Sequence, residues 1–136
     1  MKPGTRNRRS GSCVLDASAL LAFLQGEPGF ERVSAALAQG AACSAVNAAE
    51  VYAKALSSGI DPDDVSAKLQ ALGLEIVAFD EGDARSAARL VPRVQGLGLS
   101  LADRACLVLS ARLGRFALTT DRAWRRAAQF KVELLP

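Results

Sequence analysis

The sequence predicts a parallel α/β sheet covered by helices on both faces. Three observations support this. Short apolar runs alternate with longer segments of helical periodicity along the chain. Half of the residues are hydrophobic, yet aromatics make up only 5%. Ala, Leu and Val must then fill the core, which suits helices on a sheet better than a β-sandwich. At 136 residues the chain fits one domain around a single core.

The elements follow in order. Residues 1–12 show no apolar periodicity and are expected to form a flexible basic arm, with the domain proper spanning 13–136. Cys13-Val14-Leu15 is a short strand ending at Asp16. Ser18 is expected to cap ALLAFLQ, which Gly26 closes, and FERVSAALAQ is a second helix ending at Gly40. AACSAV reads as a buried strand. In the helix NAAEVYAKALSSG that follows, Asn47 is the expected N-cap, with Glu50 three residues on as in a capping box. Asp61-Pro62 opens DPDDVSAKLQALG with proline at its first position. LEIVAF is the clearest strand, Asp80 caps DEGDARSAARLV, and Pro92 kinks or ends that helix. Ser100 caps LADRACLVLSARLG. FALTT is a strand, DRAWRRAAQ a helix and KVELL a final short strand.

Composition narrows the function classes. No apolar run approaches the roughly 20 residues of a membrane span, and Asp16 follows the basic N-terminus too early for a signal peptide. A cytoplasmic protein is expected. Cys13, Cys43 and Cys106 form no C-x-x-C pair and have no His beside them, so they read as buried reduced thiols. The net charge of +3 is uneven. Lys2, Arg6, Arg8 and Arg9 sit in the first twelve residues without an acid, and from Leu99 onward seven basic residues face three acidic ones. Both clusters could attract phosphates, or simply be solvated.

Four acids stand out. Asp16 and Asp121 each follow a strand and open a helical segment, while Glu50 and Asp103 lie in the first turns of helices. All four can therefore face the C-terminal end of the sheet, where parallel α/β folds bind ligands. Any one of them could be an ordinary helix cap, and Asp61, Asp63, Asp64, Asp80 and Asp83 are assigned to that class. The apolar flanks of CVLDASALL, AVNAAEVYA and LSLADRACLVL make an unpaired charge there expensive. Two carboxylates about 4 Å apart repel by roughly 4 kcal/mol at an effective dielectric near 20. A cluster of four therefore demands a cation or protonation. Carboxylate oxygens without His or thiolate suit Mg²⁺ or Mn²⁺, and with no His in the chain a His-based metal-free nuclease is excluded.

In this arrangement the chain resembles the PIN-domain ribonucleases, in particular the VapC-type toxins of bacterial toxin–antitoxin pairs, from about Cys13 to the C-terminus. VLDASALLAFL is similar to the family's opening strand, with Asp16 as its acid. SAVNAAEVYAK is similar to the second motif, with Ser44, Asn47 and Glu50. LSLADRACLVLSARLG supplies Asp103, and ALTTDRAW supplies Thr119, Asp121 and Trp124. The resemblance implies a three-layer α/β/α fold with a central parallel sheet of four to five short strands. It further implies a Mg²⁺- or Mn²⁺-dependent endoribonuclease that acts as the toxin of a toxin–antitoxin pair. Asp16, Glu50, Asp103 and Asp121 would be metal ligands and catalytic residues, with Ser18, Asn47 and Thr119 supporting them. Arg104 and Arg122 would be candidate contacts to RNA phosphates. The expected partners are RNA, an antitoxin protein and a second copy of the chain. Where some members carry a further acid two residues after the fourth, this chain has Ala123, which points to one ion before two. The basic arm is also unusual for the family.

Two other function classes compete with this one. A phosphoacceptor signalling domain needs adjacent acids after the first strand and a Lys after the last core strand, and the chain offers only Asp16 at the first position. A catalytically silent RNA-binding module would use the basic segments alone.

Overall fold

The computed structural model describes residues 13–127 and 129–136, so the predicted arm at 1–12 lies outside the described residues. Five strands, β1 (Val14–Leu15), β2 (Ala42–Ser44), β3 (Glu75–Val77), β4 (Ala117–Thr119) and β5 (Val132–Leu134), form one sheet in the order β3-β2-β1-β4-β5. Every pairing is parallel. The helices are α1 (Ala17–Gln25), α2 (Phe30–Ala38), α3 (Ala45–Ser57), α4 (Pro62–Ala71), α5 (Glu81–Arg89) and α6 (Leu101–Leu113). Two 3₁₀ turns occur at Val91–Arg93 and Arg122–Arg126.

The two-residue period of the strands divides the core. Cys13, Leu15, Cys43 and Leu118 point to one face, where they pack with Leu20 of α1, Val33 and Leu37 of α2, Val51 of α3 and Leu69 of α4. Val14, Ala42 and Ala117 point to the other, against Ala87 of α5, Cys106 and Leu107 of α6, and Trp124. The result is the expected three-layer α/β/α sandwich. All three cysteines are buried and none forms a disulfide, as expected.

Several local expectations are corrected. Asp16, not Ser18, caps α1, its carboxylate accepting from the Ala19 N–H. Ser44 rather than Asn47 caps α3, accepting from the Val46 N–H. Asn47 therefore lies inside the helix, and Glu50 falls in its second turn, too far along for a capping box. The predicted helix DRAWRRAAQ is only the short turn Arg122–Arg126. LEIVAF, the most strand-like sequence, forms the sheet edge, with Glu75 exposed and Ile76 and Val77 half-buried. Asp61, Asp80 and Ser100 cap α4, α5 and α6 as expected.

The chain runs outward from β1 to β3, then crosses back to β4 on the other side of β1. The order of connection thus reverses between β1 and β4, which opens a crevice beyond their C-terminal ends. The residues that follow β1 and β4 are Asp16 and the segment Thr120–Asp121.

Candidate active site

A surface pocket of about 220 Å³ lies at this crevice, lined by Asp16, Glu50, Asp103 and Asp121 together with Ser18 and Asn47. Four acids from four separate segments of the chain therefore share one cavity. Ala17 and Leu21, one helical turn apart on α1, form its apolar wall. Sequence reasoning passed over both, although their i, i+4 spacing places them on one face of the helix that Asp16 opens.

The acids differ in setting. Asp16 is 4% exposed. Its Oδ1 accepts from the Ser18 hydroxyl at 2.6 Å and from the Ala19 N–H at 2.8 Å. Burial nonetheless pushes its carboxyl up to about 6, against the pull of the Ser18 and Thr119 hydroxyls and the Ala19 N–H, with repulsion from Asp103 adding to the rise. Glu50 is exposed. It too is raised, by partial desolvation and then by Asp103, with Asn47 opposing. In both, burial is the main cause and the neighbouring Asp103 charge adds to it.

Asp103 is half-buried and completes a capping box: its Oδ2 accepts from the Ser100 N–H at 2.9 Å, while its own N–H donates to Ser100 Oγ at 3.1 Å. Asp121 is exposed and caps the 3₁₀ turn through the Ala123 N–H at 2.9 Å. The cap reading and the pocket reading are both correct for these residues, because a cap engages one carboxylate oxygen and a carboxylate has two.

The supporting residues tie the pocket together. Ser18 Oγ accepts from the Thr120 N–H at 3.0 Å and lies 3.3 Å from the Thr119 hydroxyl. Thr119 Oγ1 accepts from the Asp121 N–H at 3.0 Å. The ends of β1 and β4 are thereby clamped side by side. Asn47 Nδ2 donates to the Ala102 carbonyl at 3.1 Å, pinning α3 to the residue before Asp103. That bond orients the amide, and leaves Asn47 Oδ1 buried without a hydrogen-bond partner. Arg104 turns away from the pocket and donates to the Ala87 carbonyl of α5 at 2.8 Å, and Arg122 is exposed on the 3₁₀ turn. Neither lines the pocket.

Among the described residues, no three His, Cys, Asp or Glu side chains are already gathered as a metal-ligand set. The chemistry of the donors still fits a hard divalent cation. The pocket offers only oxygen ligands, two carboxylates raised chiefly by desolvation, and a buried amide oxygen awaiting a partner.

An open parallel sheet with an acidic pocket at its switch point defines a class, α/β domains whose site is assembled from carboxylates past the strand ends. Within that class, the PIN domain matches residues 13–129, and the chain belongs to the PIN-domain family. Solved structures share the fold at low identity. VapBC2 of Rickettsia felis, bound to a promoter DNA fragment, matches at 17% identity and a TM-score of 0.67, covering 91% of this chain and 98% of that one. DNA-bound VapBC from Salmonella typhimurium matches at 15% identity and 0.69, covering 90% and 96%. FitAcB from Neisseria gonorrhoeae matches at 19% identity and 0.64, covering 88% and 95%. Comparison with curated protein sequences finds no match. Among the described residues no helix is long and apolar enough to cross a membrane.

Proposed function

We propose that this chain is a Mg²⁺- or Mn²⁺-dependent endoribonuclease and the toxin of a toxin–antitoxin pair, acting in the cytoplasm. The convergence of Asp16, Glu50, Asp103 and Asp121 on one pocket carries this reading. The fold it shares with VapBC complexes and with a toxin–antitoxin complex from Klebsiella pneumoniae supports the partner class. A cognate antitoxin and a second copy of the chain are the expected protein partners.

In this reading Asp16, Glu50 and Asp103 hold the ion, with Asp121 as a fourth ligand. When bound, a divalent ion neutralises phosphate oxygens and lowers the pKa of a coordinated water. The protein's own contribution is placement. The Ser18–Thr119 clamp holds Asp16 and Asp121 at neighbouring strand ends. The bond from Asn47 to Ala102 sets α6, and with it Asp103, against the helix that carries Glu50. Leu21 and Ala17 exclude water from one wall. The net products expected are a 5′-phosphate and a 3′-hydroxyl, with one water consumed per phosphodiester.

The test is cleavage of cellular RNA by purified protein, with Mg²⁺, with Mn²⁺ and with EDTA. Product is expected only with metal, and none from Asp103→Asn of unchanged circular dichroism. Undiminished cleavage by that folded variant refutes the site. RNA binding without any metal-dependent product would instead establish a silent binding module.

A further inference from the structure

The acidic pocket presents a problem for its own substrate, because four carboxylates line it and, among the described residues, no Lys or Arg does. A polyanion is repelled there until a cation binds, and one divalent ion offsets only part of that charge. Affinity for RNA must then come from cationic side chains elsewhere. The second helix layer holds a cleft of about 620 Å³ between α5 and α6, within the size range of small-ligand sites. Leu90 and Leu107 form its apolar floor, and Arg89, Arg93, Arg112 and Phe130 surround it.

The charges in this cleft are not cancelled. Among the described residues Asp83 is its one acid, and both carboxylate oxygens are engaged: Oδ1 accepts from Arg112 at 2.7 Å and Oδ2 from the Asp80 N–H at 3.0 Å. Arg112 keeps further guanidinium donors beyond that bond, while Arg89 and Arg93 are exposed. Arg93 lies 5.3 Å over the Phe130 ring, and its backbone carbonyl accepts from Gln129. A guanidinium beside an aromatic ring offers planar surface on which a nucleobase can stack. Arg112 is nine residues along α6 from Asp103, about 14 Å by helical rise. Nine residues also turn α6 by about 180°, so a strand leaving the acidic pocket crosses round α6 to reach the cleft.

We propose that the α5–α6 cleft anchors single-stranded RNA outside the acidic pocket, with Arg89 and Arg112 on phosphates and a base stacked on the Arg93–Phe130 platform. The choice of RNA rests on the nuclease reading above. The cleft chemistry itself requires only an anionic strand bearing flat bases.

The test measures fluorescence anisotropy of a labelled 12-nucleotide single-stranded RNA in EDTA, so that binding is read without cleavage. Arg89→Gln/Arg93→Gln should weaken binding at least about tenfold and flatten the salt dependence by about 0.7 log units per lost phosphate contact. Phe130→Leu should weaken it about fivefold or more with a smaller change in salt slope. Arg125→Gln/Arg126→Gln removes the same charge from the exposed 3₁₀ turn and should change binding less than twofold. Hydrolysis of the small diester bis(p-nitrophenyl) phosphate in Mn²⁺ should be the same in every cleft variant, since it does not reach the cleft.

Unchanged RNA affinity in Arg89→Gln/Arg93→Gln, or an equal loss in the control pair, overturns the proposal. So does a change of oligomeric state in the cleft variant with RNA affinity kept, which assigns the cleft to a protein contact. Competition by free CMP but not by RNA overturns it in favour of a mononucleotide site. Failure of the wild-type protein to hydrolyse any diester refutes the nuclease reading and leaves this binding measurement standing.

Discussion

Replacing Asp16 with asparagine tests the electrostatic cost of the site without any assay of cleavage. The Asp16 carboxyl is raised from 3.8 to about 6, chiefly by burial. A carboxyl whose pKa is higher in the folded state binds more protons there than when unfolded. Its favourable contribution is therefore fully present below about 3.8 and is lost as the pH rises through about 6. At pH 7.5 the metal-free protein carries this cost in full. Two pH units at 1.36 kcal/mol each amount to about 3 kcal/mol. Asparagine keeps a carbonyl oxygen for the Ser18 hydroxyl and the Ala19 N–H and carries no charge. Asp16→Asn should therefore raise the apo protein's stability at pH 7.5 by up to about 3 kcal/mol, or roughly 10 °C in Tm for a domain of this size. The gain should shrink towards zero by pH 4. Thermal denaturation in EDTA at pH 4, 5.5 and 7.5 measures it. Adding Mn²⁺ at pH 7.5 should then stabilise the wild type and leave the variant unmoved. A variant no more stable than wild type at pH 7.5, or a difference that does not vary with pH, refutes the reasoning.

Other consequences are independent of that one. Thr119→Val removes the acceptor for the Asp121 N–H and should cost about 1–2 kcal/mol in urea denaturation while weakening Mn²⁺ binding, with Thr119→Ser restoring both. Gly73 has a φ of +113°, and a Cβ there would sit 2.2 Å from the Leu37 carbonyl oxygen. Gly73→Ala should therefore lose at least about 2–3 kcal/mol, read as a lowered denaturation midpoint, whereas a neutral result would mean that α2 and β3 are not packed as described. Asp83→Ala deletes the return bond of the α5 capping box, from the Asp80 N–H, and the bond to Arg112, for an expected loss of about 2 kcal/mol.

Much of the architecture was legible because it depends on local periodicity. Strand alternation places Leu15 and Leu118 on one face and Val14 and Ala117 on the other, and this can be read directly from the residues. Capping was only half legible. Ser, Asp and Asn are all competent caps, and which of two neighbours takes the role depends on where the strand releases the chain. Asp16 therefore displaced Ser18, and Ser44 displaced Asn47. LEIVAF shows that strand propensity does not determine depth in the sheet, since the most strand-like segment forms an edge.

The identity and order of the four acids are legible in the chain alone, as is their place towards the C-terminal end of the sheet. Their inequality was decided by tertiary structure. Asp16 is buried beside β4 and Thr119, while Glu50, with equally apolar neighbours in sequence, stays exposed where it lines the pocket. Flanking residues report the composition of a segment, but not which rotational face of a helix a distant strand will cover. For the same reason Arg104 turns to the Ala87 carbonyl, and the Arg89–Arg93–Phe130 cleft is not apparent from any single segment. Charge and spacing are local properties of a sequence, whereas desolvation and cavity lining exist only once distant segments have packed together.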